Sequence, residues 1–264
     1  MNMNMLKRYL KLVTTSLKNI KVNFIIGGTQ KGGTSALDAY LRTHPEICMA
    51  NRKEVHFFDN ETNFRNKRVN YLKYHSFFNP KPHHRLVGEA TPIYTYWQDA
   101  PKRIWQYNPS MKLIVVLRNP VQRAFSHWNM ERDRDADKLE FWDAIQREQE
   151  RCKEALPYQH RVYSYVDRGF YTEQLRRIWR FFPEDQILIL KNEDLWNEPK
   201  VTLNKVCNFL QLSCFKHVDK MKIHCRPYVS SMSSQERAYL LKIYEHEIKA
   251  LERMLEWDCS NWLA

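Results

Sequence analysis

The stretch FIIGGTQKGGTSALDAYLRTHP, residues Phe24 to Pro45, runs from an apolar segment through a glycine-rich turn into a helical pattern. Phe24-Ile25-Ile26 reads as a buried strand, and a helix is expected from Thr34 or Ser35. In a phosphate loop of the form G-x-x-x-x-G-K-[ST], the glycines and the hydroxyl stand where Gly27, Gly32 and Thr34 stand here. Gly33, however, occupies the lysine slot, and the lysine is Lys31. Backbone N–H groups of Lys31, Gly32, Gly33, Thr34 and Ser35 are expected to face one concavity at the positive end of the helix dipole. Gly32 and Gly33 permit positive φ and close backbone approach. The stretch therefore predicts an anion site between a strand and a helix.

Outward from it, further short apolar runs read as strands: Val22 to Gly27, Leu86 to Glu89, Lys112 to Arg118 and Gln186 to Leu190. Helical patterns alternate with them: Ser35 to Thr43, Pro101 to Tyr107, Val121 to Arg132, Glu140 to Glu154, Tyr171 to Phe182, Lys200 to Leu210 and Ser234 to Leu255. Apolar strands alternating with helices predict an α/β fold: three layers, with a central parallel sheet flanked by helices and ligands at the carboxyl ends of the strands. With no internal repeat or long linker, one domain over 21–264 is expected, preceded by a basic amphipathic helix over 1–20 that packs on it.

The 264 residues carry a net charge of +12, which points to an anionic partner: nucleic acid, a membrane surface, an acidic polymer or a polyphosphorylated cofactor. The basic residues are dispersed and no nucleic-acid-binding signature is visible, so nucleic acid is not expected. Six cysteines lack paired spacing, which suits a reducing compartment. Cys207, Cys214, His217, His224 and Cys225 lack zinc-ligand spacings, and no metal site is expected. No run approaches the ~20 apolar residues of a membrane span, and residues 1–23 lack the features of a signal peptide. Contact of the first helix with a membrane surface is the remaining membrane possibility. A cytoplasmic protein is expected, of unspecified oligomeric state.

A second anion clamp is expected in KLIVVLRNPVQRAFSHW, Lys112 to Trp128. A buried strand delivers Arg118 to its carboxyl end, Pro120 opens a helix, and Ser126 lies along that helix. No acidic metal-binding residue ends this strand, and Gly33 removes the lysine that a Walker A site requires, so a kinase or NTPase is the poorer reading. A non-catalytic polyanion-binding protein is a further alternative. One small ligand with two separated anionic ends accounts for both clamps.

These segments resemble the two cofactor-binding segments of the sulfotransferases that use 3′-phosphoadenosine 5′-phosphosulfate (PAPS). They are most similar to the heparan sulfate glucosaminyl 3-O-sulfotransferase and N-sulfotransferase group. GGTQKGGTSAL, THPEI, KEVHFFD (Lys53 to Asp59) and LRNPVQRAFSHW match that group's motifs in order and spacing, and the resemblance spans about Val22 to Trp262. It implies that Lys31 to Ser35 hold the 5′-phosphosulfate, with Lys31 also catalytic at the bridging oxygen. It implies that Arg118 and Ser126 hold the 3′-phosphate, and that Arg226, Pro227, Tyr228, Val229 and Ser230 form a loop closing over the cofactor. Glu54 matches the group's general base, with His56 beside it; an acceptor hydroxyl needs such a proton acceptor. Ala90 replaces a lysine of the group. The reaction implied is sulfuryl transfer to a hydroxyl or amino group, releasing adenosine 3′,5′-bisphosphate and needing no metal. The implied acceptor is a carbohydrate, glycolipid or small metabolite, and the positive charge suits an acidic glycan. A bacterial enzyme is expected.

Overall fold

The computed structural model describes residues 15, 17–66, 68–219 and 228–264. Strands β1 (Phe24–Gly28), β2 (Ile47–Met49), β3 (Leu86–Ala90), β4 (Lys112–Leu117) and β5 (Ile187–Lys191) form one sheet in the order β2-β3-β1-β4-β5. Every pairing is parallel, as the continuous apolar runs predict. The helices that matter for the site are α1 (Thr34–Arg42), α2 (Ala100–Tyr107), α3 (Pro120–Asp133), α4 (Tyr171–Trp179), α5 (Pro199–Leu210) and α6 (Ser234–Leu255).

Alternation along the strands makes the three layers. Phe24 and Ile26 of β1 and Ile114 and Val116 of β4 pack with Leu37 and Leu41 of α1 and Leu203 and Val206 of α5. Ile25, Leu113 and Val115 point the other way, into a core shared with Val121 and Phe125 of α3, Leu175 of α4 and Tyr244 of α6. Each such fully buried aliphatic side chain contributes roughly 1.5–3 kcal/mol. The chain leaves β1 onto one face and β4 onto the other, so a crevice opens between their carboxyl ends. Both expected anion segments lie at that crevice.

The boundaries differ from expectation where side chains claim the backbone. Val22 stays outside β1 because its N–H donates to Tyr107 Oη (3.2 Å) and its carbonyl accepts from Asn108 Nδ2 (2.9 Å). The three-residue β2 was too short to read as a strand. The helix expected over Glu140 to Glu154 breaks at Arg147, because the Glu148 carboxylate turns inward to accept from Val166 N–H (2.6 Å) and Asp167 N–H (2.8 Å). Arg132 to Lys138 reads as a solvated charged loop, yet Asp137 is buried, accepting both Arg151 amino groups (2.8 and 2.9 Å) and Tyr165 Oη (2.7 Å). Of the helix expected over residues 1–20, 1–14 and 16 lie outside the described residues, while Leu17 and Ile20 pack against the core. Among the described residues, no helix is long and apolar enough to cross a membrane.

Candidate active site

The turn after β1 is fastened to the neighbouring strand. Thr29 donates both its N–H and its hydroxyl to the Val116 carbonyl, each at 2.9 Å. Asn192, just past β5, donates from Nδ2 to the Gly32 carbonyl at 3.0 Å. Lys31 has φ 66° and Gly33 φ 102°, so the chain turns through the left-handed region that Gly33 tolerates without strain. A Cβ on Gly32 would lie 2.3 Å from the Val116 carbonyl oxygen, so the close approach admits only glycine. Gly33 caps α1 with no side chain bonded to the first-turn amides, Thr34 is buried and Ser35 half-buried. Lys31, Gly32, Gly33, Thr34 and Ser35 thus come together at the positive end of α1.

Lys31 is half-buried, and its pKa is lowered by that burial and then by the charges of Arg118, Arg134 and Lys53, against the pull of Glu54. Several cations converging on a partly dry site make a field that an anion relieves.

On the facing wall, Glu54 leads an array of alternating charge. Its N–H donates to the Ala90 carbonyl at 2.8 Å, which ties the segment to the end of β3. Glu54 Oε1 accepts from Lys53 Nζ (2.8 Å), and Oε2 lies 3.6 Å from His56 Nε2. His56 Nδ1 lies 2.8 Å from Asp59 Oδ2, which also accepts from Arg161 at 2.5 Å. Glu54 (φ 61°) and His56 (φ 54°) both adopt left-handed backbone, and their side chains meet each other. Burial pushes the Glu54 carboxyl up, but its interactions with His56 and Lys53 hold it well below the usual carboxylate range. Burial pulls His56 down, and its bonds to Asp59 and Glu54 override this and raise it to about 9. At neutral pH Glu54 is an anion and His56 a cation.

Arg118 is half-buried, its side chain 3.5 Å from Gln122 Oε1 and its carbonyl held by Tyr171 Oη at 2.7 Å. Ser126 is buried on α3. Arg226 and Pro227 lie outside the described residues. Tyr228 and Val229 dock on α3 beside Ser126: the Tyr228 ring meets Phe125 edge-on at 5.4 Å, and Val229 N–H donates to Asn129 Oδ1 at 3.0 Å. Ser230 is exposed.

Between the walls lies a cleft of about 190 Å³ lined by Gln30, Glu54, His56, Glu131, Arg134 and Arg161 with Pro92, Ile93 and Val162. Sequence reasoning missed Glu131, Arg134 and Arg161. The charge alternation of Arg132 to Lys138 marked a solvated loop and gave no sign that Arg134 folds back over the cleft. Glu89 and Thr91 do not line this cleft: both are buried beneath it.

The sulfotransferase domain model matches residues 21–251. Heparan sulfate glucosamine 3-O-sulfotransferase 5 of Mus musculus is 31% identical over 191 residues, covering 71% of this chain and 53% of that protein. The membrane-associated sulfotransferase kil1 of Dictyostelium discoideum is 24% identical over 313 residues, covering 89% of this chain and 65% of that protein. The chain therefore spans about half the length of the 3-O-sulfotransferase relatives it matches. A crystal structure of a sulfotransferase from Alicyclobacillus acidocaldarius has the same fold, with a TM-score of 0.80 and 26% identity over 93% of this chain and 100% of that one.

Proposed function

The chain belongs to the sulfotransferase domain family, and from that premise we propose that it transfers the sulfuryl group of PAPS to a hydroxyl or amino group of a carbohydrate or glycoconjugate acceptor. The acceptor class rests on the relatives named for heparan sulfate glucosamine. One observation carries the reading: Lys31 stands in a field of cations at the N-terminal end of α1, whose first-turn amides no side chain caps, and the carboxylate acting on it is the ionised Glu54. That pairs an anion site with a proton acceptor in a single crevice.

Lys31 and the α1 amides hold the 5′-phosphosulfate, while Arg118 and Ser126 hold the 3′-phosphate, with Tyr228 and Val229 docked on α3 beside Ser126. The acceptor oxygen bonds to sulfur on the side opposite the bridging oxygen and gives its proton to Glu54. The bond from sulfur to the bridging oxygen breaks, and its electron pair leaves on the 5′-phosphate, where Lys31 balances the charge. His56, charged at neutral pH, does not compete for the proton; it holds Glu54 in place and is itself held by Asp59. A carboxylate with so low a pKa is a weak base, which fits proton transfer late along the reaction, once bonding to sulfur has acidified the acceptor hydroxyl.

The test is thermal unfolding with adenosine 3′,5′-bisphosphate in the absence of metal, beside ATP–Mg²⁺, followed by transfer of labelled sulfate from PAPS. Stabilisation by the bisphosphate together with transfer supports the reading. Stabilisation by ATP–Mg²⁺ alone would return the displaced lysine to the kinases.

A further inference from the structure

The cleft contains groups that sulfuryl transfer as described leaves unused. Glu131, in the last turn of α3, is only 4% exposed, yet it lines the cleft that holds Glu54. Its Oε1 lies 3.5 Å from Arg134 and 3.6 Å from the buried His127. Gln30, the residue before Lys31, lines the same cleft with its Oε1 buried and without a partner. Two hydrogen-bond acceptors therefore stand in the cleft beside Glu54: the Gln30 oxygen, buried without a partner, and the Glu131 carboxylate, whose Oε1 has only contacts of 3.5 and 3.6 Å. A buried oxygen without a partner favours a ligand that brings donors.

The three cations that line the cleft each have a carboxylate partner. Arg134 pairs with Glu131, Arg161 with Asp59, and His56 with both Asp59 and Glu54. A carboxylate or sulfate entering here would compete with an existing partner for each cation and would meet the oxygens of Glu131 and Gln30. A neutral hydroxyl meets neither obstacle. Pro92, Ile93 and Val162 supply an apolar surface for the carbon skeleton of such a ligand.

We propose that Glu131 and Gln30 form an acceptor subsite that receives hydrogen bonds from the hydroxyls flanking the reacting one, so that the group sulfated belongs to an uncharged polyol such as a neutral sugar ring. The subsite rests on the sulfotransferase reading of the same cleft, and it departs from the acidic glycan suggested by net charge. Specificity built this way is steep, because an acceptor without the flanking hydroxyls leaves the buried Gln30 oxygen unpaired.

The test measures PAPS-dependent sulfation of methyl glucoside, methyl galactoside and methyl N-acetylglucosaminide, with heparan sulfate as the polyanionic comparison, in the whole chain and in Glu131→Gln and Gln30→Leu. The expected result is turnover of a neutral glycoside in preference to heparan sulfate. In both variants its KM rises at least tenfold, kcat changes less than threefold, and stabilisation by adenosine 3′,5′-bisphosphate is kept. Preference for heparan sulfate, no turnover of any neutral glycoside while the bisphosphate still stabilises, or unchanged KM in both variants overturns the subsite and leaves the sulfotransferase reading standing. Loss of bisphosphate stabilisation in the unmodified chain, with no transfer to any acceptor, sinks that reading and the subsite with it.

Discussion

Asn192 holds the anion loop from 160 residues further along the chain: its Nδ2 donates to the Gly32 carbonyl at 3.0 Å, and a Cβ on Gly33 would lie 2.3 Å from that same nitrogen. The end of β5 thus fixes one peptide of the loop and limits the next to glycine. Lys31 is positioned by this contact and by the Thr29 bonds to Val116 on β4, so the loop's geometry depends on β4 and β5 as much as on its own sequence.

Gly33→Ala is therefore expected to fail twice, through the left-handed backbone (φ 102°) and through the collision with Asn192. The backbone part alone costs about 1 kcal/mol or more. Thermal unfolding should show the apo protein a few degrees less stable, with stabilisation by adenosine 3′,5′-bisphosphate abolished. Adding Asn192→Ala removes the collision and leaves the backbone strain, so binding should return in part. Unimpaired binding in Gly33→Ala would show that the loop does not hold the anion.

Arg118→Ala and Lys31→Ala should separate binding from chemistry. A charge-assisted contact to a phosphate is worth about 1.5–3 kcal/mol, so Arg118→Ala should weaken bisphosphate binding by roughly 10- to 100-fold. Lys31 acts on charge that develops as the bridging oxygen leaves, so Lys31→Ala should cost kcat on the order of 10²-fold or more, with a smaller loss of binding. Isothermal titration and single-turnover kinetics on both variants check this. Equal effects on binding and on kcat in the two variants would undo the division of roles.

The parts legible in the sequence are those whose signal is local. The Lys112 to Arg118 run announces a doubly buried strand, found over Lys112–Leu117, and the helix expected over Ser234 to Leu255 begins where Ser233 and Glu236 form a capping box. Lys31, Gly32 and Gly33 could be placed at the turn into α1 from the sequence because strand, loop and helix are contiguous. What stayed hidden depends on partners distant in sequence. Asp137 is buried because Arg151 and Tyr165 reach it, Arg161 enters the cleft because Asp59 draws it in, and Asn192 gives no sign of bracing Gly32. Charged residues paired across such separations look like surface in a one-dimensional reading.

His56 should make stability depend on pH on the alkaline side. Its pKa is raised to about 9, so the folded protein favours the imidazolium bound to Asp59 and Glu54. That stabilisation is complete below the unfolded value near 6.5 and is lost as pH rises through about 9. The side chain is 40% exposed, so solvent screening keeps the change in Tm to the order of a degree or two. His56→Gln should flatten the Tm profile between pH 7 and pH 9.5, a range chosen to bracket about 9. A profile identical to the unmodified chain would mean that His56 is not held as a cation.

Glu89 couples core protonation to the Glu54 segment. Its buried carboxylate accepts from Tyr74 Oη (2.8 Å), Thr91 Oγ1 (2.6 Å) and Tyr94 Oη (3.2 Å). The last two hydroxyls in turn accept from Val55 N–H (3.0 Å) and Phe57 N–H (3.0 Å), on either side of His56. Burial raises the carboxyl to about 7, with the three hydroxyls pulling the other way. Because the folded value lies above the unfolded one, the stabilisation is complete below about 4.5 and is lost as pH rises through about 7. Between roughly pH 5.5 and 8 the protein should lose on the order of 2 kcal/mol of stability from this group. Glu89→Gln removes the titration and should abolish that slope in urea unfolding. It also presents an N–H₂ where a hydroxyl expects an acceptor, so the 55–58 backbone loosens and kcat falls several-fold while bisphosphate binding persists. A slope that survives in Glu89→Gln would place the titrating group elsewhere, and an unchanged kcat would show that Glu54 is positioned without this network.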